Sequence, residues 1–174
     1  MRPVSKDFQK LKFVIGGFGQ DESILWVWYK GNELFCAFYR GCFTLAEDSY
    51  TERLELAFEA GKISLKTFVK KLKVACHDED SSTFTCSLKG CVASLLKPHQ
   101  IFSLWEALKV HTWKSSYSAP ILDGTQWELT YKTIGKTYRL NGSNAYPLQW
   151  EKFIDFLCLF KPEFKVFREY NIKP

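Results

Sequence analysis

Cys76-His77 and Cys86-x4-Cys91 bring four potential metal ligands into one stretch of the chain. Thiolate and imidazole together suit zinc, so zinc is the chemistry to test first. The spacing argues against it. The chain contains no CxxC pair, and neighbouring residues on a strand point to opposite faces, so Cys76 and His77 would not share one ion. Cysteines that simply pack are the simpler reading, because cysteine is among the most buried residue types. No metal is expected. The three histidines, His77, His99 and His111, fall in a polar loop, at a helix start and in an extended stretch. A cysteine nucleophile would need one of them beside it as a base. No GxSxG, HExxH or glycine-rich phosphate loop is present, so no nucleophile signature frames such a pair. Catalytic residues and cofactors are not expected.

A binding chemistry fits the residues better. Lys62, Lys66, Lys70, Lys71 and Lys73 crowd one basic segment, and Trp26, Trp28, Phe35, Phe38 and Tyr39 lie on strand-like stretches before it. Cations that follow phosphates and rings that stack on bases are what a single-strand nucleic-acid binder uses. The competing reading makes the lysines the solvated face of an amphipathic helix and the rings core, and it carries more weight. Aromatic residues are 17% of the chain, from 15 Phe, 8 Tyr and 6 Trp. So many rings suggest that some face a partner. The expected contact set is Trp26, Trp28, Phe35, Phe38 and Tyr39 with the acidic Glu52 and Glu55. The formal charge is only +5, which permits an acidic partner without demanding one.

These residues need elements to hold them. At 174 residues, with 46% hydrophobic and 25% charged, the chain reads as a single domain over 1–174. Lys12–Ile15, Ser23–Tyr29 and Glu33–Tyr39 read as strands, and Lys30-Gly31-Asn32 as a hairpin loop. Trp26 and Trp28 share one face of their strand while Leu25, Val27 and Tyr29 take the other, so that strand is expected to be covered on both sides. Residues 53–58 alternate Leu54, Leu56 and Phe58 and read as a strand. A helix over about 64–74 begins with Ser64 as N-cap and buries Leu65, Phe68, Val69 and Leu72. The polar run His77–Ser82 divides two halves, about 1–76 and 83–160, and Thr83–Leu88 reads as a strand. A further helix near 98–108 starts at Pro98 and buries Ile101, Leu104, Trp105 and Leu108. Val110–Tyr117 is expected to be extended, Gln126–Thr133 and Lys136–Leu140 to pair through Gly135, and a last helix to run over 147–160. The tail 161–174 is weakly strand-like. No run approaches the roughly 20 apolar residues of a membrane span, and the polar opening Met1–Asp7 leads into no signal region. The expectation is a cytoplasmic protein with its six cysteines as thiols.

The strongest pattern is Asp123-Gly124-Thr125-Gln126-Trp127-Glu128-Leu129, followed by Asn141-Gly142-Ser143-Asn144-Ala145-Tyr146-Pro147. Asp-Gly and Asn-Gly supply tight turns, Ser143 and Asn144 can bond the loop backbone, and Pro147 can start a helix. Each residue has an architectural role, and none is expected to be catalytic. Over about 98–160, including Trp113-Lys114-x-x-Tyr117, this stretch resembles the tail of a scattered group of small bacterial cytosolic proteins with DGTxWxL and GSNAYP motifs. Such proteins look like immunity partners of contact-dependent toxin systems, at least some of which have a duplicated sheet-plus-helix fold similar to the Whirly domain.

That resemblance implies a non-catalytic antitoxin that binds and neutralises a cognate toxin domain, a nuclease above all. A faint echo between Arg53-Leu54…Gly61…Phe68-Val69-x-x-Leu72 and Arg139-Leu140…Gly142…Phe153-Ile154-x-x-Leu157 suits such a duplication. The net charge departs from the acidic character common in nuclease inhibitors, although Glu47-Asp48, Glu52/Glu55/Glu59 and Asp78-Glu79-Asp80 offer local acidic patches. The expected fold is therefore α+β, an antiparallel sheet in two related halves, each closed by a helix. Its expected partner is a toxin protein, with single-stranded nucleic acid as the alternative and no membrane.

Overall fold

The computed structural model describes residues 8–17, 21–41, 45–75, 91–121 and 124–171. The expected strand 83–88 and loop 77–82 fall outside these residues, as do Cys42, Phe43, Cys76, His77, Cys86 and Asp123. The elements run β1 (Lys10–Gly17), β2 (Glu22–Lys30), β3 (Glu33–Gly41), α1 (Leu45–Glu59), α2 (Leu65–Ala75), α3 (Pro98–Ala107), β4 (Ser116–Ser118), β5 (Thr125–Thr133), β6 (Lys136–Ser143) and α4 (Trp150–Cys158). Short 3-10 segments cover Val92–Leu95, Val110–Thr112 and Pro162–Asn171.

The strands form one six-stranded sheet in the order β3-β2-β1-β5-β6-β4. All pairings are antiparallel except that of β4 with β6, which is parallel. The fold is thus α+β with a mixed sheet. The two parts of the chain meet at the β1–β5 ladder, where Lys10 lies opposite Lys132 and Val14 opposite Glu128. Gly31 and Asn32 close the β2–β3 hairpin at φ +59° and +70°, the left-handed pair that matches strand twist in a two-residue loop.

Two cores flank the sheet. On one face Leu11, Phe13, Ile15, Leu25, Val27 and Phe38 join Trp127, Leu129, Tyr131 and Leu140 beneath α3, α4 and the 162–171 segment. On the other, Ile24, Trp26, Trp28, Ala37 and Tyr39 pack against Leu54 and Phe58 of α1 and Phe68, Val69 and Leu72 of α2. The expectation that β2 is covered on both sides holds. So do the Ser64 cap, with Thr67 N donating to Ser64 Oγ at 3.1 Å, and the start of α3 at Pro98.

Five readings need correction. Residues 53–58 lie inside α1 rather than in a strand. Its buried stripe is Thr51, Leu54, Glu55 and Phe58, spaced i, i+3, i+4 and i+7 as on a helix face. Two of those four places are polar, which hides the period, while Leu56 points outward at 63% exposure. Val110–Tyr117 is a 3-10 turn followed by the short β4. Lys109 takes φ +50° just before that turn, which breaks any continuous extension. The last helix begins at Trp150, and Pro147 sits in the preceding turn, where its carbonyl accepts Trp150 N at 3.0 Å. The tail is a 3-10 helix that buries Phe164 against Phe13 and Phe38, because its apolar residues must reach the sheet. Leu104, expected in the core, is 45% exposed.

The DGTxWxL and GSNAYP motifs lock together. Trp127 Nε1 donates to Ala145 O at 2.9 Å, laying the indole over Gly142, where any Cβ would overlap it. Asn144, at φ +52°, donates its backbone N–H to Thr125 O at 2.9 Å and fills the space a side chain at Gly124 would need. Among the described residues no helix is long and apolar enough to cross a membrane.

Candidate functional site

Helices α1 and α2 cover only the β1–β3 side of their face. The β4–β5–β6 side carries polar residues, since Gln126, Glu128, Thr130 and Lys132 alternate with buried Trp127, Leu129 and Tyr131. The edge of α1 and this open half-sheet enclose a groove. Its middle, about 510 Å³, is lined by Lys10, Lys12, Glu52, Glu55, Leu56, Glu128, Thr130, Arg139 and Asn141. Along β1, from Lys10 to Val14, it extends about 13 Å at the rise of a strand.

The wall of the groove is fixed by a charge cluster. Glu55 is buried, its side chain 4% exposed, and lies between Lys10 and Lys12 of β1. Lys12 Nζ is 3.1 Å from Glu55 Oε1, Lys10 bonds the other oxygen, and Trp26 Nε1 donates to Glu55 Oε1 at 2.7 Å. One turn further along α1, Glu59 meets Lys10 at 2.7 Å and Lys132 at 3.7 Å. Burial acts to raise the Glu55 carboxyl, but the Lys12 and Lys10 charges and the bonds from Lys10 and Trp26 outweigh it and hold it below the ordinary carboxylate range. Burial likewise opposes the Lys10 ammonium, yet the two glutamates keep its affinity for the proton above the ordinary lysine value. Together these contacts pin a largely polar helix to the sheet.

Charge grades along the groove. At one end Lys12 stands against Glu22, Glu52 and Glu128. At the other, Glu59 is the one carboxylate among the described residues to line the groove beside Lys10, Lys30 and Lys132, and Lys10 also pairs with Glu55. Sheet register produces this gradient. β2 runs from Glu22 to Lys30, β5 in the same direction from Glu128 to Lys132, and the antiparallel β1 brings Lys10 beside the two lysines. A segment laid in the groove would meet negative potential at one end and positive at the other, which fixes its direction.

The sequence-derived contact set does not form a surface. Trp26 and Tyr39 are fully buried, and Trp28, Phe38 and Glu55 nearly so. Phe35 is half-buried and Glu52 exposed. The rings are internal because both faces of β2 and β3 are covered. Lys62, Lys66, Lys70, Lys71 and Lys73 are exposed on and just before α2, and the rings of β2 and β3 that face this helix lie beneath it. Glu59, named with Glu52 and Glu55 as an acidic patch, lines the groove, as do Lys10, Lys12, Lys30, Glu22, Glu128, Lys132 and Arg139, which the sequence reading does not single out. For those on β1 and β5 the signal is the alternation of polar residues with Leu11 and Phe13 on β1 and with Trp127, Leu129 and Tyr131 on β5. Among the described residues no group of His, Cys, Asp and Glu could hold a metal ion, and neither the His99 nor the His111 side chain bonds a cysteine. Both histidines are exposed. Comparison of the chain with protein-family models, with characterised proteins and with solved structures returns no match.

Proposed function

We propose that this chain is a non-catalytic binding protein of the immunity type, which neutralises a cognate bacterial toxin domain, a nuclease above all, by receiving part of it in the groove beside α1. The observation that carries this reading is the graded charge of that groove. Nucleic acid offers one sign of charge along its length, whereas a protein segment can offer both and so match both ends. The acidic end also accommodates the basic rim of a nuclease cleft despite the overall charge of +5. Glu52 and Glu128 have no ion pair among the described residues, so they are available to a cationic partner. A duplicated, Whirly-like ancestry belongs to the same proposal. It is supported by the order of elements, in which β1–β2–β3 precedes α1 and α2 and β4–β5–β6 precedes α4.

Co-expression with the product encoded immediately upstream tests the reading. A stable complex and rescue of growth from that product's toxicity are expected. A salt-sensitive shift of single-stranded oligonucleotides at about 0.15 M salt, abolished by Lys66→Glu with Lys70→Glu, would instead favour a nucleic-acid binder.

A further inference from the structure

At the basic end of the groove the C-terminal turn of α1, β1, β2 and β5 enclose a cleft of about 200 Å³. Trp28 borders it and is 2% exposed, and its indole N–H meets no acceptor among the described residues. Its neighbour along the strand shows what is missing. Trp26 donates to Glu55, while Trp28 lies two residues on and Glu59 one helical turn on, with Glu59 taken up by Lys10 and Lys132. A buried donor without an acceptor carries a desolvation penalty, which an incoming acceptor would remove.

The rest of the lining specifies what that acceptor should be. Lys30 donates to Phe58 O at 3.0 Å, Lys10 donates to Glu55 and ion-pairs with Glu59 at 2.7 Å, and Lys132 stands 3.7 Å from Glu59. Each ammonium has three donors, so each keeps at least one for a further partner. Glu59, and Glu55 shared by Lys10 and Lys12, leave the charge of Lys30 and Lys132 in excess, so the cleft is positive. We infer that this cleft is an oxoanion site, in which Trp28 Nε1–H and the ammonium groups of Lys10, Lys30 and Lys132 bind a carboxylate or phosphate group. The site stands on the chain's own residues and does not require the partner to be a toxin.

Indole N–H resonances of the full chain, followed during titration with acetate or inorganic phosphate at constant ionic strength, read the site directly. Trp28→Phe assigns the resonance. The Trp28 signal should shift saturably, with a dissociation constant on the order of a millimolar, as expected for a few partly solvated charges. Trp127 and Trp150, held by Ala145 O and Phe167 O, should stay still, as should Trp113, whose N–H is also unpartnered but lies elsewhere. Lys132→Ala should weaken binding about five-fold or more. Response to both anions supports a general oxoanion site. Response to phosphate alone narrows it to phosphate groups, and to acetate alone to carboxylates such as an acidic side chain of a protein. A Trp28 resonance unmoved by either anion overturns the site, as does a shift that survives Lys30→Ala with Lys132→Ala. Neither result would bear on whether a toxin complex forms.

Discussion

Replacing Glu55 by alanine should be among the most damaging single changes to the wall of the groove. The carboxylate is 4% exposed and meets Lys10, Lys12 and the Trp26 indole. Breaking a buried ion pair from one side costs about 3–5 kcal/mol, because the partner stays charged and unpaired. Two features relieve that cost here. Lys10 keeps Glu59 at 2.7 Å, and Lys12, already 20% exposed, can extend its ammonium to water. The expected loss is therefore at the lower end, about 3 kcal/mol. For a chain of this length that is a fall in Tm of about 6–12 °C. Glu55→Gln retains an acceptor for Trp26 and should lose less, about 2 kcal/mol. Lys12→Met in the Glu55→Ala background should be neutral or stabilising, since it removes the stranded charge. Urea unfolding followed by tryptophan fluorescence measures all four proteins. A Glu55→Ala loss under about 0.5 kcal/mol, within the range of an ordinary surface substitution, would refute the account of how α1 is held.

The same cluster sets a pH dependence. Glu55 titrates below its ordinary 4.5 when folded, so its stabilisation is present above that value and is lost as pH falls through the lowered one. Lys10 titrates above its ordinary 10.5, so its stabilisation is complete below 10.5 and is lost as pH rises through the raised value. Stability measured across pH should fall at both extremes, and Glu55→Gln should flatten the acid arm. Gly142→Ala should cost about 1–3 kcal/mol through overlap with the Trp127 indole, and in a Trp127→Phe background it should cost less, as urea midpoints will report. Phe164→Ala should cost about 3–5 kcal/mol, because the 162–171 segment closes the core on Phe13 and Phe38. Thermal unfolding checks this, and an unchanged Tm would place that segment outside the cooperative fold.

Much of the frame was legible in local pattern. Gly31-Asn32, Gly135, Ser64 and Pro98 mark turns and helix starts by backbone chemistry that needs no tertiary context. The buried stripes of α2 and α4 repeat at helical spacing, so their faces could be read directly. Helix α1 could not, because the polar Thr51 and Glu55 occupy core-facing places, and Glu55 is satisfied only by the lysines and indole of the sheet beneath it. The groove was illegible for a related reason. Lys10, Lys30 and Lys132 converge only when β1 pairs with both β2 and β5, which no local window contains. The aromatic excess misled in turn. Trp26, Trp28, Phe38 and Tyr39 suggested a surface, yet a strand pair covered on both faces needs rings on both.

The direct test of the groove is binding by a charge-reversed chain. Glu52 and Glu128 are exposed, so Glu52→Lys with Glu128→Lys should leave Tm within a few degrees. If the proposed function holds, the parent chain should form a complex with the product encoded immediately upstream and rescue growth from its toxicity. The double variant should bind it at least about ten-fold more weakly, as like charges would then face the basic cleft of the proposed nuclease. No complex with the parent chain, or undiminished binding by the reversed one, would contradict it.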